Sequence, residues 1–169
     1  MAKSINELNS DLFSPESEQR FASPIEARKK AMDFLARREH GRAELIDKLA
    51  TRGFVQDIAE EAVGRLAEEG LQSDQRFVQS FIQSRISQGK GPIRIVQELG
   101  QRGLPGGLVE QNLEDTDADW TDLAYQVRVK KFGTYKPDDF EEKARQMRFL
   151  QYRGFDADQI RTAMEGERS

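Results

Sequence analysis

A six-residue signature, Leu-x-x-Arg-Gly followed by Phe or Leu, occurs three times in this chain: LATRGF ending at Phe54, LGQRGL ending at Leu104 and LQYRGF ending at Phe155. Its glycines, Gly53, Gly103 and Gly154, stand 50 and then 51 residues apart. A fixed period of that size marks a repeat architecture in which each copy is one supersecondary unit. A copy of roughly 50 residues is near the lower limit for folding alone, so neighbouring copies must support one another.

Within each period the apolar spacing is helical. Ser23, Pro24 and Glu26 form a capping box with proline at the first helical position, and Ile25, Met32 and Leu35 follow as an apolar stripe. A second helix carries Leu45, Ile46 and Leu49 to a stop at Gly53, and a third carries Ile58, Ala62 and Leu66 to Gly70. The next copy places Phe77, Val78, Phe81 and Ile82 on one helix, then opens another at Pro92 with Val96 and Leu99 facing inward. Its third helix follows GLPGGL, where Gly106 and Gly107 each cost roughly 1 kcal/mol relative to alanine inside a helix. That helix is expected to begin late or to be mobile.

In the last copy Asp119 caps a helix bearing Trp120, Leu123, Ala124 and Val127 as far as Gly133. Phe140, Ala144, Met147 and Leu150 lie on the next helix, and Asp156 with Gln159 caps the helix that holds Ile160 and Met164. Ile46, Val96 and Met147 keep the 50- and 51-residue spacing and read as one recurring core position. Nothing alternates with period two. The predicted fold is all-α: three tandem three-helix repeats over 23–71, 72–117 and 118–169, forming an elongated, curved helical array. Residues 1–22, polar and without a sustained period, are expected to be a flexible N-terminal leader.

Several kinds of chemistry find no support in these residues. There is no cysteine, which removes disulfides, thiol catalysis and cysteine-based zinc sites. The single histidine, His40, has no second histidine to complete a metal site and is expected at the surface or in a hinge. SQGKGP, residues 87–92, lacks the strand, the glycine spacing and the Ser or Thr of a phosphate-binding loop, so it reads as a turn between helices. No Ser/His/Asp set can be assembled. The chain is therefore read as a non-enzyme with no catalytic residue, no metal and no cofactor. With no apolar run able to span a bilayer and no signal core, a cytoplasmic protein without a membrane partner is expected.

Net charge is -4, but the charges are segregated. Five basic residues face one acidic residue between Arg76 and Arg102, and eight face six between Asp119 and Arg153. The candidate partner-binding residues are Arg85, Lys90, Arg94 and Arg102 in the second repeat. In the third they are Arg128, Lys130, Lys131, Lys143, Arg145, Arg148, Tyr152 and Arg153. Such residues serve a solvated helix face, a protein interface or contact with nucleic acid. Tyr152 stands out because its counterparts in the other copies are Thr51 and Gln101. Charge reversal at Arg128, Lys130 and Lys131 is expected to leave helicity intact.

The run EEGLQSDQRFVQSFIQSRISQGKGPIRIVQELGQRGL, residues 68–104, resembles the RecX regulatory proteins of bacteria. REHGRAELIDKLATRGF and KARQMRFLQYRGF are similar to that family's first and third repeats. The resemblance implies a monomeric modulator of the RecA recombinase that acts in homologous recombination, DNA repair and the SOS response. Such a protein binds the RecA–DNA filament in its groove or at its end, limits filament growth and suppresses ATP hydrolysis and strand exchange. Single- or double-stranded DNA is a further implied partner. The alternative is a helical-repeat protein that binds DNA directly through the basic face of repeats two and three.

Overall fold

The computed structural model describes residues 15–166. Ten helices and no strand occur among them. In chain order they are α1 (Pro15–Phe21), α2 (Pro24–Arg37), α3 (Arg42–Thr51), α4 (Gln56–Glu68), α5 (Asp74–Ser87), α6 (Pro92–Gln101), α7 (Gly106–Asp115), α8 (Trp120–Phe132), α9 (Phe140–Arg153) and α10 (Ala157–Glu165). The chain divides into two compact units, and the division falls inside α5 between Phe77 and Val78.

In the first unit, the Ser23 hydroxyl accepts from the Glu26 amide and Pro24 opens α2, as the capping pattern predicts. The buried stripe of α2 is Ala27, Ala31 and Phe34, however; of the expected stripe, Leu35 packs partly buried against this core, and Ile25 and Met32 are exposed. Ile25 is 69% exposed. Two stripes at helical spacing compete on this helix, and the one with two alanines lets α2 approach α4 closely. Around it pack Leu45 and Leu49 of α3, Phe54, and Ala59, Ala62, Val63 and Leu66 of α4.

The leader expected over residues 1–22 lies outside the described residues up to Ser14, but its last part is structured. Residues 15–21 form α1, and the Phe21 ring meets Phe54 edge-on at 5.5 Å. The Phe21 carbonyl accepts from the Val55 amide at 3.1 Å. Phe21 also covers Gly53, whose φ of +103° ends α3. An aromatic ring against the first core holds this segment in place.

His40 is buried rather than at the surface. Its Nδ1 lies 3.0 Å from the Arg38 carbonyl and its Nε2 3.0 Å from Lys48 Nζ, while Gln72 donates to its backbone carbonyl. Both ring nitrogens are thereby used in the neutral form with the proton on Nδ1. Burial pushes the imidazole below its usual range, and the charges of Arg38 and Lys48 add to the effect.

In the second unit, Val78, Phe81 and Ile82 of α5, Ile95 and Leu99 of α6, Leu104 in the turn that follows, and Val109 of α7 are buried. Helix α7 begins at Gly106, directly after Pro105, rather than late. Its glycines fall in the first turn, where backbone amides have no intrahelical partner in any case, so their cost is small. Asp119 caps α8, and Asp156 and Gln159 form the expected capping box on α10. Val127 and Ala124 of α8, Leu150 of α9, Phe155, and Ile160 and Ala163 of α10 make the last core.

The recurring core position is one residue earlier than the sequence spacing suggests. Val96 and Met147 are exposed, and Ile46 is only partly buried. The fully buried set is Leu45, Ile95 and Gln146, which keeps the same 50- and 51-residue intervals. Phe140, expected on the core stripe of α9, is 82% exposed.

Helix ends join two repeats within this unit. The carbonyls of Arg153 and Gly154, at the end of α9, accept from the amides of Gly91 and Ile93 at the start of α6. These are groups that a helix leaves unpaired at its two termini, and their dipole ends are opposite in sign. A Cβ at Gly91 would lie on the Gly154 carbonyl, and one at Gly154 would lie on Arg94. The second glycine in SQGKGP, Gly91, is therefore explained by close backbone approach.

Candidate functional site

The twelve residues selected for charge and position fall into groups with different surroundings. Arg85, Lys90 and Arg94 converge on one carboxylate, Glu98. Arg85 Nε is 2.7 Å from Oε2, and Lys90 Nζ and Arg94 Nε are each 3.5 Å from Oε1. Partial burial pushes the Glu98 carboxyl up, but hydrogen bonding and charge from Arg85, with those of Lys90, outweigh it and hold the group below the usual carboxylate range. Three of the five cations read from the second repeat are thus held in one internal cluster, although its single carboxylate cancels only one of their charges.

Arg102 lies over the Phe81 ring at 5.0 Å, on which Arg85 also rests at 4.1 Å. Arg52 lies over Phe34 at 5.6 Å, and Arg153 over Phe149 at 5.5 Å. The signature arginine therefore covers an aromatic ring in each repeat, a contact worth about 0.5–1 kcal/mol at such exposure.

Arg128 does not belong to the surface. It is 1% exposed, and its Nε donates to the Ala163 carbonyl at 3.0 Å. Its terminal nitrogen donates to the Tyr135 carbonyl and to Gln146 Oε1. Gln146 in turn donates to Glu142. Facing carbonyls from α10 and the 133–139 loop make this site, and their distance in sequence hid it.

Lys130, Lys131 and Arg153 edge a groove of about 560 Å³ between the end of α5, α8 and α9. Leu123, Val127 and Phe149 form its apolar floor. Lys131 Nζ and the Arg153 guanidinium lie 5.4 and 5.5 Å from the Phe149 centroid, and Phe132 meets that ring edge-on. Arg153 also donates to the Gln88 carbonyl. No carboxylate lines the groove. Leu123 and Val127 had read as core alone, because an exposed edge of a core stripe has no signature of its own.

Lys143, Arg145 and Arg148 are exposed on α9. Arg145 rests over Phe132 and is 3.5 Å from Glu142. Tyr152 is 76% exposed, with the Arg94 guanidinium 5.2 Å from its ring centroid. It borders a second groove of about 510 Å³ with Ile93 and Met147, both substantially exposed. Ile93 escaped notice because it sits beside the true core residue Ile95. Among the described residues, no group of three His, Asp or Glu is arranged to hold a metal ion, and no helix is long and apolar enough to cross a membrane.

Three sequence profiles match this chain in order. The one described as RecX, first three-helix domain, matches residues 27–66; the second three-helix domain matches 73–113 and the third 117–164. The protein named Regulatory protein RecX of Pseudomonas entomophila (strain L48) is 46% identical over 144 residues, 85% of this chain and 93% of that protein. The one of Halorhodospira halophila (strain DSM 244 / SL1) is 48% identical over 133 residues, 79% of this chain and 83% of that protein. The crystal structure of RecX from Lactobacillus salivarius has the same fold, with a TM-score of 0.71 at 21% identity, over 84% of this chain and 94% of that one. A second crystal structure, of regulatory protein RecX, gives 0.73 at 17% identity, over 98% of this chain and 80% of that one.

Proposed function

This chain belongs to the RecX family of regulatory proteins, and from that footing we propose that it binds the filament formed by the RecA recombinase on DNA. Bound there, in the groove or at the end, it limits filament growth and lowers ATP hydrolysis and strand exchange. It acts in the cytoplasm as a monomer without catalysis of its own, in DNA repair, recombination and the SOS response. The match of all three domains in order is the observation that carries this reading. Consecutive repeats suit it physically, because several modest contacts on one chain add as intramolecular events.

We take 23–71, 72–117 and 118–169 as the three repeats, with Phe21 of α1 packed on the first. Our contact surface is the third repeat, at Lys130, Lys131, Lys143, Arg145, Arg148, Tyr152 and Arg153. Tyr152, with its large exposed ring, has the character of an interface anchor.

The measurement is RecA ATPase on single-stranded DNA, titrated with sub-stoichiometric amounts of this protein and of its Tyr152→Ala variant. Inhibition by the unmodified chain, weakened in the variant, is expected. No inhibition across a wide titration would overturn the reading.

A further inference from the structure

The groove edged by Lys130, Lys131 and Arg153 differs from the other basic cluster in how its charge is held. At Glu98 three cations meet a carboxylate, whereas here Lys131 and Arg153 are positioned by the Phe149 ring, which orients them without cancelling their charge. Arg153 is further fixed by its hydrogen bond to Gln88. The result is a cleft with positive edges, an aliphatic and aromatic floor, and no carboxylate among its lining residues.

We propose that this groove is a docking slot for a short acidic peptide segment of a partner protein, one that carries an apolar side chain between its carboxylates. The inference deepens the partner-binding reading of the same surface and rests on it for the partner's being a protein. The apolar residue seats on Leu123, Val127 and Phe149, and the flanking carboxylates meet Lys130, Lys131 and the planar fork of Arg153, which suits a carboxylate bidentately. Recognition of acidic motifs by clustered cations beside a hydrophobic pocket is a general mode of peptide binding.

A nucleic-acid strand fits the slot less well. Stacking of a base needs a bare aromatic face, and the Phe149 ring already has two cations near it and the edge of Phe132 against it. A phosphate backbone leaves the apolar floor uncovered, and three cations offer few of the phosphate contacts on which such affinity depends.

The test uses the full chain and a short fluorescein-labelled peptide of glutamates with one central phenylalanine, followed by fluorescence anisotropy. Saturable binding is expected, weakened when the peptide's phenylalanine is replaced by alanine. Charge reversal at both Lys130→Glu and Lys131→Glu should weaken it about tenfold or more, while Lys29→Glu, on the other unit, should not. Amide chemical-shift changes on the unmodified chain should centre on Leu123, Lys130, Lys131 and Arg153, a readout that needs no variant to fold.

Absence of saturable binding, equal binding by the double charge-reversal variant, or shifts centred elsewhere would overturn the assignment. So would displacement of the peptide by a bare single-stranded oligonucleotide at lower concentration than by unlabelled peptide. The assay contains no RecA. Peptide binding without RecA inhibition would therefore sink only the proposed function, and RecA inhibition without peptide binding would sink only the slot.

Discussion

The Gly91 amide donates to the Arg153 carbonyl at 2.8 Å, so the start of α6 and the end of α9 satisfy each other's unpaired backbone groups. This contact depends on the absence of a side chain at Gly91, since a Cβ there would overlap the Gly154 carbonyl. Gly91→Ala should destabilise the chain by about 1–3 kcal/mol, the usual cost of overpacking plus a weakened hydrogen bond. Gly100→Ala is the control, because a Cβ at that helical position meets open space. It should instead stabilise by roughly 0.5–1 kcal/mol. Thermal denaturation of the two variants, one glycine to alanine change with opposite sign, decides whether close approach is what selects Gly91.

Arg128 is a second place where position in the fold overrides composition. Its guanidinium donates to Ala163, Tyr135 and Gln146, and truncation leaves these buried acceptors unpaired. Arg128→Ala should cost about 2–4 kcal/mol. Including Arg128 in a charge-reversal set with Lys130 and Lys131 would disrupt the last core, contrary to the expectation that helicity survives. The Lys130 and Lys131 pair alone should keep its circular dichroism spectrum and melting temperature. If Arg128→Ala melts with the unmodified chain, the buried network contributes no net stability.

What could be read from the sequence was local in origin. The caps Ser23, Asp119 and Asp156 and the left-handed stop at Gly154 each act within a few residues, and the structure has all four. Leu49, Leu99 and Leu150 are buried as the signature implies. The neighbouring core position was set one residue late because Ile46, Val96 and Met147 form an apolar series as regular as Leu45, Ile95 and Gln146. A glutamine was not an obvious core residue until its partner Arg128 was found beside it. The charges were legible as a total but not in their pairing, since Glu98 and the carbonyls around Arg128 decide which cations remain available.

His40 gives the fold a predicted pH dependence. Lys48, Arg38 and Glu44 surround the ring, and burial holds its folded-state pKa below the unfolded value of about 6.5. Between those two values the unfolded chain binds the proton and the folded chain does not, so stability is full above that window and falls as pH drops through it. Melting temperatures at about pH 7.5 and about pH 5.5 should therefore differ more for the unmodified chain than for His40→Gln. Equal differences would mean that the ring titrates alike in both states.

Glu98 separates the two readings of the basic second repeat. Its carboxylate is shared by Arg85, Lys90 and Arg94, so a strand of DNA must compete with an internal ion cluster for those cations. Glu98→Gln removes the competitor while keeping the side chain's size and its capacity to accept a hydrogen bond. Affinity for a labelled single-stranded oligonucleotide should rise, and its logarithm should fall more steeply with the logarithm of salt, by up to about 0.7 in slope for each phosphate newly contacted. The unmodified chain should show weak binding and a shallow slope by the same titration. Steep, tight binding before the substitution, unchanged after it, would mean that DNA is reached through other cations than these. The direct DNA-binding reading would then displace a surface whose charge is held for a protein.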